Sequence, residues 1–150
     1  MNPFRRSSLG WMTAKDRPSG RGFDVQYLLL IYGDEEAREA MMTTVSEEDQ
    51  AVEMKAWFEY TDWLRDKGWY RAGEALEDTS TATTVRAPNG DAVVTDGPFA
   101  ETKEQLGGFY LLETANLDEA IEAAGRCPGA RYGTIELRPV VDFGEQPDAG

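Results

Sequence analysis

Asp96, Glu101, Lys103 and Glu104 lie close together on a run that reads Asp-Gly-Pro-Phe-Ala-Glu-Thr-Lys-Glu-Gln-Leu-Gly-Gly from 96 to 108. Gly97 ahead of Pro98 disfavours helix, and Pro98 fixes its own φ. Gly107-Gly108 tolerate left-handed or crowded backbone, so the run reads as a built loop that holds these charges in a fixed arrangement. A carboxylate at a strand end, facing such a turn and partly shielded from water, has the makings of a general base. The same group can instead accept the N–H bonds of Phe99 and Ala100 and simply pin the turn. Asp96 fits both descriptions. Glu101, Lys103 and Glu104 read either as ligand contacts or as a solvated cluster with weak surface ion pairs.

Outside the loop, Glu136 and Arg138 are two residues apart on a candidate strand and so share a face. Arg138 is suited to clamp a carboxylate or phosphate, and equally to neutralise Glu136 or Asp96. Tyr27 and Tyr110 are candidates to donate a hydrogen bond inside a pocket, with core packing as the alternative. The chain has no histidine. That removes Ser-His-Asp and Cys-His nucleophile arrangements and His-ligated metal sites, so acid and base chemistry falls to Asp, Glu, Lys or Tyr. Cys127 is the only cysteine; without a partner it reads as a small apolar filler rather than a nucleophile. Neither a glycine-rich phosphate loop nor a cysteine or histidine metal spacing is present, so no cofactor and no metal are expected.

The net charge is −13; residues 1–22 hold five basic side chains against Asp16, which is +4 and leaves −17 on the rest. Such a body repels nucleic acid and anionic membrane. No apolar run approaches the ~20 residues a membrane-spanning helix needs. The single cysteine suits a reducing interior, so a cytoplasmic location is expected.

At 150 residues the chain is one domain long. Residues 1–24 lack apolar periodicity and are rich in Arg, Ser and Gly, which predicts a disordered, dispensable extension. Arg5-Arg6 is followed by polar sequence where an export signal needs an apolar stretch, which argues against export. Tyr27 to Tyr32 is continuously apolar, the mark of a strand covered on both faces, and Gly33-Asp34 ends it ahead of a charged loop. Ser46 with Asp49 caps a helix from about Glu47 to Lys67, with Met54, Trp57, Phe58, Thr61 and Leu64 inward. A strand near Tyr70 to Leu76 follows, then strands at about Ala82 to Ala87 and Asp91 to Thr95, joined through Asn89-Gly90 as a two-residue hairpin turn. The last elements are a strand over Phe109 to Glu113, a helix over Leu117 to Arg126 with Leu117, Ile121 and Ala124 inward, and a strand over Tyr132 to Val140. Residues 144–150 form a polar tail.

Three segments in order, the loop from Asp96, Gly107-Gly-Phe-Tyr-Leu-Leu-Glu113 and Ile135-Glu-Leu-Arg-Pro139, resemble the YCII-related family, specifically its DGPF branch, over about Val25 to Phe143. The resemblance implies an α+β, ferredoxin-like fold with an added β-hairpin, pairing into a dimeric α/β barrel, and it nominates Asp96 as the active-site carboxylate. Relatives outside this branch are associated with a His/Asp pair, whose histidine is missing from this chain. Val25 stands where family members begin with methionine, so residues 1–24 are either an extension or an artefact of the assigned start. The residues support a homodimer independently. Two helices on one side leave the other sheet face bare, yet Tyr27 to Tyr32 and Phe109 to Leu112 are apolar at odd and even positions. A second sheet stacked on that face leaves pockets for a small-molecule ligand. Both an enzyme with Asp96 as base and a non-catalytic ligand-binding or accessory protein fit; the branch's association with alternative sigma factors favours the latter.

Overall fold

The computed structural model describes residues 24–144; the extension over 1–23, the tail over 145–150 and the expectations attached to them lie outside the described residues. The main sheet holds β1 (Val25–Gly33), β2 (Tyr70–Ala75), β5 (Gln105–Thr114) and β6 (Thr134–Pro139) in the antiparallel order β2-β5-β1-β6. Two long helices, α2 (Glu47–Asp66) and α3 (Leu117–Arg126), pack on one face, and a separate ribbon pairs β3 (Thr83–Arg86) with β4 (Val93–Asp96). With the ribbon and the ten-residue helix over Glu35–Thr44 set aside, the chain runs strand–helix–strand–strand–helix–strand, the order expected of a ferredoxin-like unit. Among the described residues the sheet stays open and no barrel closes.

Alternation along β1 sorts its apolar run. Val25, Tyr27 and Leu29 point to the helices and are buried, while Leu28 and Leu30 point away and are only half-buried. The core gathers Leu29 and Leu112 from the sheet, Tyr60 and Leu64 from α2, and Ala123 and Cys127 from the end of α3. Ser46 caps α2 by accepting from the Asp49 N–H at 3.1 Å, and Asn116 caps α3 through the Glu119 N–H at 3.0 Å. Each cap satisfies a helix-end donor that would otherwise lack a partner.

The structure corrects several expectations. The charged segment after Asp34 is a helix, α1 (Glu35–Thr44), capped by the Asp34 carboxylate at the Ala37 N–H. None of its residues is buried, so it carries no apolar stripe to announce it. In α2, Leu64 is buried and Trp57 packs against the core as expected, but Tyr60 is the other buried residue, and Met54 and Phe58 are 57% and 65% exposed. In α3 the small residues Ala120 and Ala123 lie inward, and Ile121 is 52% exposed. The hairpin connection is six residues, 87–92, rather than two, because Pro88 has no N–H to extend the ladder past Arg86. The final strand starts later than expected, after a 3-10 turn over Pro128–Arg131. Finally, β5 begins at Gln105, so Gly107 and Gly108 belong to a strand and not to the loop. A Cβ on Gly108 would stand 3.0 Å from the Glu74 carbonyl oxygen, so close strand approach requires this glycine.

Candidate functional site

The charged loop is the connection 97–104 between β4 and β5. Gly97 takes φ of 93°, in the left-handed region that favours glycine. Its N–H donates to the Ala82 carbonyl at 2.7 Å, and its own carbonyl accepts from the Thr84 hydroxyl at 2.7 Å. These bonds pin the turn; bonds from Phe99 and Ala100 to the Asp96 carboxylate do not form. Asp96 is exposed, and its carboxylate has no hydrogen bond or ion pair among the described residues. Glu101 and Lys103 are likewise exposed and unpaired, while Glu104 is half-buried.

Sequence reasoning missed what holds this ribbon to the body. The Glu35 carboxylate, at the start of α1, accepts from the Thr79 N–H at 2.8 Å and the Thr79 hydroxyl at 2.7 Å. The Glu35 N–H in turn donates to Gln105 Oε1 at 2.9 Å, and Arg38 pairs with Asp78 at 2.6 Å. One helical turn therefore grips the chain both before β3 and after β4. Asp34 followed by two glutamates was the available signal, since a cap residue before an acidic first turn marks a helix start.

The sheet separates the remaining candidates. Tyr27 and Tyr110 face the helices and are buried. Tyr110 and Thr61 share a hydroxyl hydrogen bond of 2.8 Å, and the Tyr60 hydroxyl donates to the Ala123 carbonyl at 2.6 Å. Burial raises the pKa of Tyr60, and also that of Tyr110, where the Thr61 hydrogen bond partly opposes it. Burial likewise pushes the Cys127 thiol up to about 11, keeping it protonated and unreactive. Arg138 lies on the opposite face, beside Leu28 in the register, with Glu136 beside Leu30. Its guanidinium approaches Glu136 only at 3.8 Å, and its side chain is 69% exposed.

That opposite face presents Leu28 and Leu30 of β1 next to Leu111 and Phe109 of β5 as an apolar strip. Gln26 and Glu113 border it at one end of the strands, and Glu136 and Arg138 border it along β6. Loop, ribbon and open face thus hold Asp96, Glu101, Lys103 and Arg138, whereas the two tyrosines stay in the core. The helix side also carries an open groove of about 340 Å³ lined by Trp63, Tyr60 and Pro128 with Arg126 and Arg131. Both arginines are engaged there: Arg126 stacks on Trp63 at 4.7 Å and pairs with Glu122 at 3.4 Å, and Arg131 pairs with Glu53 at 3.7 Å.

The description of the YCII-related domain matches residues 25–144, all of the sheet, helices and ribbon described above. The chain belongs to the YCII-related domain family. An uncharacterized protein of Rhizobium meliloti (strain 1021) is 38% identical, over 81% of this chain and 98% of its own length. This YCII-related chain contains no helix, among the described residues, that is long and apolar enough to cross a membrane.

Proposed function

We propose that this YCII-related protein is a homodimer that binds a small molecule between two stacked sheets, forming the α/β barrel of its DGPF-branch relatives, with Asp96 as the proton-accepting carboxylate. The observation that carries the proposal is the open sheet face. Leu28, Leu30, Phe109 and Leu111 form an apolar strip on the side away from the helices, and a strip of that composition gains by excluding water. A second sheet on it encloses an apolar space with charged groups at the rim, which is the usual make-up of a small-molecule site. Asp96, Glu101, Lys103 and Arg138 are the groups free to meet such a ligand; Tyr27 and Tyr110 support the wall from the core side.

Base strength in a carboxylate grows when water is excluded from it. The exposure of Asp96 within one subunit therefore makes its chemistry depend on the partner and the ligand. The same exposure favours a second reading, a non-catalytic ligand-binding or accessory role in alternative sigma factor regulation, in which Asp96 is only an anionic contact. Native mass spectrometry after incubation with cell extract tests the proposal: a dimer that retains a small molecule is expected. A particle that is monomeric, or whose ligand survives unchanged in Asp96→Asn, would sink it. Turnover of the retained molecule separates the enzyme from the binding protein.

A further inference from the structure

A two-stranded ribbon is marginal in water unless another strand or a helix backs it. Seven of the eight residues in β3 and β4 are nonetheless exposed. The pairing places Val85 opposite Val94 and Thr83 opposite Asp96, and residues two apart on a strand share a face. One side of the ribbon therefore carries an apolar pair, 58% and 62% exposed, with the Asp96 carboxylate next to it. Val94 and Asp96 stand ~7 Å apart along β4 at the usual rise per residue.

The open sheet face offers the complement at the same spacing. Arg71 and Arg138 border it, while Arg38 stands over its Gly107 and is paired with Asp78 at 2.6 Å. Arg71 is occupied, donating to Glu113 at 2.9 and 2.7 Å and to the carbonyls of Gly68 and Tyr70. Arg138 holds only the long contact to Glu136. Two residues on, Val140 continues the ladder by donating its N–H to the Gln26 carbonyl at 2.9 Å and is itself exposed. Valine and arginine at Val140 and Arg138 thus match valine and aspartate at Val94 and Asp96.

Area points to a second copy as the occupant. Four strands at ~4.8 Å spacing over about six residues give a face of roughly 400 Å², against about 800 Å² per partner in a stable interface. A sheet-to-sheet contact alone falls short. A ribbon given and a ribbon received, each on the order of 130 Å² by the same strand spacings, recover most of the difference.

We propose that each subunit lays its β3–β4 ribbon along the β6 edge of the other sheet, Val94 against Val140 of the partner subunit and Asp96 paired with Arg138 of the partner subunit. This rests on the homodimer proposed above and adds that each pocket takes its carboxylate from one chain and its guanidinium from the other. Charge reversal in sedimentation velocity tests it. Asp96→Arg and Arg138→Asp are exposed changes that leave the fold intact by circular dichroism, and each alone is expected to weaken the dimer ~10-fold or more through facing like charges. An equimolar mixture of the two variants restores the dimer, because both contacts in the mixed pair then join opposite charges. Recovery in a doubly substituted chain but not in the mixture would place the contact within one subunit and overturn the inference. So would single reversals that leave a wild-type-strength dimer, and in either case the homodimer itself would stand. A monomeric parent protein would instead overturn the homodimer and this inference with it.

Discussion

Leu111 and Leu112 are consecutive residues of β5 on opposite sides of the main sheet, and replacing each with alanine separates a face known to be covered from one proposed to be. Leu112 is fully buried against the helices. Its replacement removes three carbons, worth about 2.4 kcal/mol at ~0.8 kcal/mol each, and the cavity left behind brings the cost to about 3–4 kcal/mol. For a domain of this size the melting temperature falls by roughly 10–15 °C. Leu111 is only half-buried within the subunit, so in an isolated chain the same change costs about 1 kcal/mol or less. If a second sheet covers it, the cost rises to about 2–3 kcal/mol per subunit. The excess over the isolated chain is carried by association and shrinks on dilution, as the subunits separate. Melting curves recorded at ~1 and ~100 μM bracket the effect, since oligomer stability depends on concentration. The expected outcome is a Leu112→Ala loss of similar size at both concentrations and a Leu111→Ala loss that is larger in the concentrated sample. A Leu111→Ala protein that melts within about 0.5 kcal/mol of the parent at every concentration would refute the covered face.

Asp96→Asn keeps an acceptor oxygen and removes the charge; stability is expected to change by no more than about 1 kcal/mol while ligand retention is lost. Retention equal to the parent's, followed by native mass spectrometry, would reduce Asp96 to a surface residue. Glu35→Ala removes both acceptors of Thr79; a local loss of about 1–2 kcal/mol is expected, read as faster hydrogen exchange through 78–105 with β1 unchanged. Exchange that is unaltered in the ribbon would contradict the clamp. Cys127 is protonated when folded up to about 11 and ordinarily ionises at 9.0, so between these values the unfolded chain holds fewer protons and stability falls as pH rises. Tyr60, raised in the same sense, extends the fall to higher pH. Thermal melts from pH 8 to 11 check this, and a stability that rises across pH 9–11 would contradict the buried, neutral thiol.

What the chain discloses in sequence depends on burial. β1 and α3 were legible because the apolar run and the Leu117–Arg126 amphipathic pattern each reflect packing against a core. α1 was not, because a helix with no buried residue has no stripe and shows itself only by its Asp34 cap. Which residues of α2 face inward was misread in part, because Met54 and Phe58 are apolar yet exposed, and composition alone does not fix a helix's rotation. The candidate site was half-readable. Glu136 and Arg138 were placed on one face by strand alternation, and the spacing of Val94 and Asp96 would have placed those two together in the same way. The clamp of Glu35 on Thr79 joins residues 44 positions apart, and no local pattern reports such a contact.

Sedimentation velocity over a dilution series through the micromolar range reports whether a second copy closes the open face of Leu28, Leu30, Phe109 and Leu111. A dimer is expected that persists at low micromolar concentration and that dissociates when Leu30→Asp places a charge in the middle of the strip. A parent protein that sediments as a monomer throughout the series would contradict it.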